Sequence, residues 1–108
     1  MTELLPGAQA LSLTSLVTPT EHGIVSRVLA RAAGGNLTLF ALAAGEGLTT
    51  HSSPFEAFVL VLDGLVTLTI NGTPVRATPG TIVRMPANIP HAVDATETSR
   101  MLLVMLRD

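Results

Sequence analysis

The sequence of 108 residues contains no cysteine, tryptophan or tyrosine, and its six basic residues are all arginines scattered along the chain. Without cysteine there is no disulfide framework and no thiolate chemistry, which fits a reducing cytoplasm. Nucleic acid is usually bound by clustered cations and aromatic stacking platforms, and this chain has neither. We therefore expect no nucleic-acid partner.

Long uninterrupted apolar runs are also missing, since no stretch approaches the roughly 20 residues of a membrane-spanning helix. The first ten residues, MTELLPGAQA, lack the basic segment and long apolar run of a signal peptide. The length suits one domain over residues 1–108. We expect a cytoplasmic protein with no membrane partner.

Charge is scarce as well. Charged residues make up 13% of the chain and hydrophobic residues 47%, whereas an average soluble domain has about 25% charged residues. A single small barrel has too little interior for so much apolar surface. We therefore expect a homodimer, in which a second copy covers the surplus.

What the sequence does contain is a series of short β-type segments separated by glycine and proline. Their alternation and their Val, Ile, Thr and Phe content favour strands. Asn71-Gly72 predicts a tight hairpin, and Asp63-Gly64 a second turn. For 99–107 a helix remains the competing interpretation. The expected strands are 10–13, 24–32, 36–45, 47–53, 55–64, 65–70, 74–77, 81–85, 91–95 and 99–107.

Two histidines stand in corresponding places beside the most hydrophobic of these segments. Alternation along a strand would put Thr49 and Ser53 on the same side as His51. Beyond Pro54, the residues at 57, 59 and 61 would line the same interior. His91 follows a proline-bounded loop and could reach that space. Two imidazoles meeting in an apolar cavity could share a metal, a water or a ligand oxygen.

The stretch 45–64 resembles the first motif of the cupin superfamily of small β-barrels. Gly45, His51 and Gly64 match it at the correct spacing. Ser53 stands where the motif has its second histidine, and Ala57 where it has its glutamate.

The stretch 80–95 resembles the second cupin motif. Gly80, Pro86 and His91 match, whereas Asn88 replaces a glycine and Ala95 an asparagine. The resemblance covers about two thirds of the chain, with a motif-bearing core at about 36–107. It implies an all-β, single-domain cupin-type double-stranded β-helix, an RmlC-like jelly-roll barrel.

The resemblance is greatest to small single-domain cupins, most of which lack an assigned activity. It implies a small-molecule-binding protein with an apolar barrel pocket, in which His51 and His91 are the polar anchors. The expected remaining pocket residues are Ser53, Met85, Val59, Val61, Leu37 and Leu39.

The alternative is a metal-dependent cupin enzyme, an oxygenase, isomerase or lyase. Metal-type cupins use three histidines and one glutamate around Fe, Mn, Ni or Zn, and this chain keeps His51 and His91. Glu56 is the expected third ligand if a bulge turns it inward. A divalent metal would then be weakly bound or absent. A metal-free isomerase using a histidine as acid and base is also open. His22 is expected in an exposed loop, and Met85, Met101 and Met105 as core or interface fillers.

Overall fold

The computed structural model describes residues 4–108, so residues 1–3 of the expected single domain lie outside the described part. Its regular structure is a 3-10 turn, Leu13–Ser15, followed by seven strands. The strands are β1 Ile24–Ala32, β2 Gly35–Leu42, β3 Gly47–His51, β4 Glu56–Ile70, β5 Thr73–Ala77, β6 Ile82–Met85 and β7 His91–Leu106. The predicted all-β jelly-roll class is confirmed. Within residues 4–108 no helix has the length and apolar character needed to cross a bilayer.

Two long strands, β4 and β7, pair with each other antiparallel along most of their lengths and organise the sheet. The first half of β4 pairs with β6, and its second half pairs with β5. On the other side, β2 pairs with the second half of β7 and β3 with its first half, while β1 adds to β2. The molecule thus has a first half, β1-β2-β7-β4-β6, and a second half, β3-β7-β4-β5, joined through β4 and β7.

The predicted turn at Asp63-Gly64 is wrong, because β4 continues through it. The pairing of β4 with β7 shifts between Val61 and Val66, and Gly64 has a φ of 84° there. A Cβ at Gly64 would overlap the Ser99 hydroxyl, so only glycine fits. Each half keeps an apolar inner face because the shift changes the inward residues from odd numbers to even ones.

Three other expectations about strands need correction. The segments 91–95 and 99–107 form one continuous strand, β7, and the helix alternative for 99–107 is wrong. Its long ladder with β2 and β4 uses backbone groups that a helix would bond internally. The predicted strand at 10–13 is wrong, since that segment pairs with none of the described residues 4–108 in a ladder and leads into the 3-10 turn. The Asn71-Gly72 hairpin is confirmed, with both residues at positive φ.

The main core lies between the two halves. It combines inward residues of the first half, such as Val59 and Val61, with Val66, Leu68 and Val93 of the second half. A second, smaller cluster lies on the outer side of the first half. There Leu39 and other residues of β1 and β2 are covered by the segment around Val17.

Candidate functional site

His51 ends β3, and a bulge in that strand sets its direction. Leu48 pairs with Val93 and His51 pairs with His91, so β3 takes three steps where β7 takes two. The extra residue reverses the alternation and places Leu48, not Thr49, on the same side as His51. The prediction that Thr49 shares the direction of His51 is therefore wrong.

His91 begins β7, directly after the loop 86–90. Asn88 in this loop has a φ of 65°, a left-handed conformation that asparagine tolerates better than most residues. This is the position where the motif has glycine. The Asn88 backbone N–H donates to the Ser53 carbonyl at 2.7 Å. The loop is thereby tied to the segment after β3, which brings the two histidines together.

The two imidazole rings meet edge to face, with centroids 4.4 Å apart and an interplanar angle of 75°. Their Nε2 atoms are 3.2 Å apart. Nδ1 of His51 lies 2.7 Å from the Thr49 carbonyl oxygen, and Nδ1 of His91 lies 3.2 Å from the Ile89 carbonyl oxygen. A carbonyl only accepts, so these bonds assign the ring proton to Nδ1 in both histidines. When both rings are neutral in this tautomer, the contact between the two Nε2 atoms has two acceptors and no donor.

Burial of His91 opposes its protonation. The residue is 5% exposed, and loss of hydration lowers its pKa below the usual value, with repulsion from His51 adding to this shift. The hydrogen bond to Ile89 acts in the opposite direction but is the smaller effect. At neutral pH, His91 is therefore a neutral acceptor.

A cavity of 60 Å³ lies beside His51 and His91. Each half has one end near Gly64 and one end far from it, and the cavity lies between the far ends. Its lining brings together His51, His91, Val59 and Met85 of the predicted site residues. Ala57, at the position of the family's glutamate, also lines it. The complete lining is Leu48, His51, Ala57, Val59, Met85, His91, Val93, Met101, Leu103 and Met105.

Four predicted pocket residues lie elsewhere. Ser53 follows the end of β3, and its hydroxyl accepts from the Phe55 backbone N–H at 3.4 Å. Val61 points inward but packs deeper in the main core. Leu37 and Leu39 belong to the outer cluster, since alternation along β2 turns them away from the cavity.

Glu56 does not join the histidines. Its carboxylate accepts from the Arg84 guanidinium and from the Ala87 backbone N–H. These two bonds, the arginine first, lower the pKa of Glu56. The condition that a bulge turns Glu56 inward is not met, because Glu56 keeps the alternation of β4 and faces out next to inward Ala57. Within residues 4–108 no three His, Asp or Glu side chains are grouped to hold a metal.

The sequence-based prediction missed several lining residues, most notably Met101 and Met105, which it placed among core or interface fillers. The sequence pattern that could have identified them is the alternation of odd and even positions along the strand. His91, Val93, Met101, Leu103 and Met105 all have odd numbers on one continuous strand, and all line the cavity. Dividing this strand into two segments concealed that relation.

Comparisons with known proteins agree with this geometry. The family profile described as "Cupin domain" matches residues 38–107. A conserved protein of unknown function from Streptococcus pyogenes superimposes with a TM-score of 0.93 at 36% identity, over 99% of this chain and 94% of that one. A cupin superfamily protein from Desulfitobacterium hafniense DCB-2 gives 0.90 at 26% identity, over 100% and 99% of the chains. A Cupin 2 conserved barrel domain protein from Leptotrichia buccalis gives 0.87 at 36%, over 90% of this chain and 47% of that one. No curated protein matches the sequence.

Proposed function

The chain belongs to the cupin superfamily, and from that premise we propose that it is a small-molecule-binding protein whose ligand is held by His51 and His91. The observation that carries the proposal is the pair of Nε2 atoms 3.2 Å apart, with each Nδ1 on a backbone carbonyl. Two lone pairs at this distance repel each other. A ligand that brings a hydrogen-bond donor between them removes the repulsion and gains a bond.

The cavity limits the size and polarity of this ligand. Its 60 Å³ is below the roughly 150 Å³ cavity that accepts benzene and far below the 300–1,000 Å³ of drug-sized sites. All lining residues other than the two histidines are apolar. The fitting ligand therefore has a few non-hydrogen atoms, a small apolar body and one O–H or N–H group.

The alternative function, a metal-dependent enzyme of the family type, receives less support. That chemistry uses three histidines and a glutamate, and the cavity offers two histidines. Glu56 is held outside by Arg84 and Ala87, and the methyl group of Ala57 occupies the glutamate position. This donor set does not fit the family's divalent metals.

The test compares 2-propanol with acetone, which has the same non-hydrogen skeleton but cannot donate a hydrogen bond. Methyl signals of Val59, Val93 and Met101 are followed by NMR during titration of the wild-type protein. We expect 2-propanol to bind about two- to tenfold more tightly, the equivalent of one net hydrogen bond. Nitrogen-15 shifts of both rings should show protonated Nδ1 and unprotonated Nε2.

The matched control is His51→Gln, which replaces an acceptor with an amide that can also donate. The preference for 2-propanol should shrink in this variant. Equal binding of the two probes to the wild-type protein, or a preference unchanged in His51→Gln, would contradict the proposal.

A further inference from the structure

Two places in the chain have an aspartate or asparagine directly before a glycine, Asp63-Gly64 and Asn71-Gly72. At such a pair the side chain and the backbone can react with each other. The nitrogen of the following peptide attacks the side-chain carbonyl carbon and closes a five-membered succinimide ring. Glycine favours this closure because it has no Cβ to shield the attacking nitrogen.

The Asp63-Gly64 pair is held in a form that does not react. The Asp63 carboxylate accepts from the backbone N–H and from the guanidinium of Arg100. Gly64 lies inside β4, where a Cβ would overlap the Ser99 hydroxyl. Ring closure here would break the bonds to Arg100 and disturb the pairing of β4 with β7, so this pair serves as an internal comparison.

The Asn71-Gly72 pair is open. Both residues are exposed and form the turn between Ile70 and Thr73, which pair with each other. Nothing lies within 4 Å of the position that a Cβ on Gly72 would take. Within residues 4–108 no hydrogen bond uses the side-chain amide of Asn71 or the N–H of Gly72. Exposed turns open locally at a free-energy cost near zero, so both reacting groups are accessible.

The other two asparagines of the chain lack this arrangement. Asn36 precedes Leu37 and Asn88 precedes Ile89, and these large side chains shield the attacking nitrogen. The side-chain oxygen of Asn36 also accepts from the Thr38 hydroxyl at 3.4 Å. The reaction is therefore directed to Asn71.

The turn at Asn71 contacts the backbone that positions His91. The Asn71 N–H donates to the carbonyl of Pro90 at 2.8 Å, and Pro90 directly precedes His91. Ile70, the residue before Asn71, is the ladder partner of His91. A two-residue hairpin turn has a fixed backbone geometry, so lengthening it at Asn71 would displace the residues bonded to it.

We propose that Asn71 is a site of spontaneous modification whose isoaspartate product disturbs the position of His91. The Gly72 nitrogen forms a bond to Cγ of Asn71 while the bond from Cγ to Nδ2 breaks. Nδ2 leaves as ammonia, and water carries to it the proton that the Gly72 nitrogen loses. Water then opens the imide at either carbonyl. One opening gives aspartate, and the other gives isoaspartate, in which the main chain runs through Cβ and Cγ and is one methylene longer. This inference goes beyond the proposed function, because the reaction needs no ligand.

The first test incubates the native wild-type protein and the urea-unfolded chain in the same mildly alkaline buffer. Peptide mass mapping follows loss of the amide, and an isoaspartyl methyltransferase labels isoaspartate. Asn71 should react in the native protein at no less than about one tenth of its rate in the unfolded chain, since the exposed turn opens easily. Asn36 and Asn88 should keep their amides, and Asp63 should stay unlabelled. An Asn71 amide that persists in the native protein while the unfolded chain loses it would overturn the proposal.

The second test measures the effect on His91. In aged wild-type protein the nitrogen-15 shifts of the His91 ring should change, and 2-propanol binding should weaken about two- to tenfold, the equivalent of one net hydrogen bond. Asn71→Gly is the matched control, because it keeps positive φ and removes the amide; its shifts should stay constant during the same incubation. Freshly prepared Asn71→Asp adds the charge without lengthening the chain and should resemble unaged wild type.

Unchanged His91 shifts in protein that carries isoaspartate, or the same change in Asn71→Asp, would overturn the link to the histidine site. The mass and the ring shifts are read without any ligand. If Asn71 reacts and the His91 shifts move but wild type shows no preference for 2-propanol, the modification stands and the proposed function falls.

Discussion

The outer faces of the two halves differ although they are built from the same two strands. In the first half, the outward residues of β4 and β7 are mostly apolar, namely Phe58, Leu60, Leu62, Leu102, Val104 and Leu106, with Glu56 and Arg100 as the charged exceptions. In the second half, the outward residues of these strands include Thr67, Thr69, Asp94 and Thr96. A sheet with one face in water alternates apolar and polar residues, whereas a sheet covered on both faces is apolar throughout. The first half therefore has the composition of a sheet with two covered faces.

Part of the outer face of the first half is covered by residues of the same chain. Val17 and the partly buried Leu5 and Leu16 pack over Leu39, which is fully buried. Other parts of the outer face stay open, since Leu106 at the end of β7 is 49% exposed and Ile82, which starts β6 beside Leu60, is 61% exposed. The expected homodimer stays a prediction, and this open face is where we expect the second copy.

The largest expected effect tests whether the outer face of the first half is a true core. Leu39→Ala should lower the free energy of unfolding by about 2–5 kcal/mol, because it leaves a cavity beneath Val17. Thr67→Ala, on the outer face of the second half, should change it by about 0.5 kcal/mol or less. Urea unfolding measures both. Similar losses for the two variants would remove the distinction between the faces.

The second prediction uses the oligomeric state to compare the outer faces of the two halves. At micromolar concentration, sedimentation should give about twice the chain mass for the wild-type protein. Val104→Glu should give the monomer mass, since it places a charge in the expected apolar interface. Thr69→Glu on the polar outer face should leave the mass unchanged. A monomeric wild-type protein would mean that no second copy covers the face.

The third prediction concerns the cavity, where the ends of the two halves meet. The lowered pKa of His91 means that the unfolded chain, with a histidine pKa of about 6.5, binds more protons. Stability should therefore fall as pH drops through about 6.5, and level off below the folded-state value. His91→Gln should flatten this slope. His22→Gln, with its side chain 88% exposed, should retain it, and the same slope in both variants would show that His91 is not the cause.

The smallest effect is expected at Glu56, on the outer side of the first half. Its partner Arg84 is 59% exposed at the side chain, and exposed ion pairs contribute little. Glu56→Gln should therefore change the melting temperature only slightly and leave 2-propanol binding at wild-type strength. Weakened 2-propanol binding in this variant would show that Glu56 contributes to the histidine site.

Much of the fold was determined by local sequence. The motif glycines Gly45, Gly64 and Gly80 all adopt positive φ, a requirement of the backbone at each position that identifies the family without knowledge of distant partners. Alternating apolar residues also predicted most strands, and the Asn71-Gly72 turn predicted one pairing. The closeness of His51 and His91 followed from the motif spacing.

Which side chains line the cavity was decided by pairing between strands distant in sequence. The bulge between Leu48 and His51 is measured against β7 and has no local signal. It turned Thr49 away from the expected side. Continuity of β7 brought Met105 into the same cavity as His91, because the ladders with β2 and β4 hold the strand extended where a helix was also possible. Alternation is a local property, but its phase is set by the partner strand, and only the tertiary structure contains that partner.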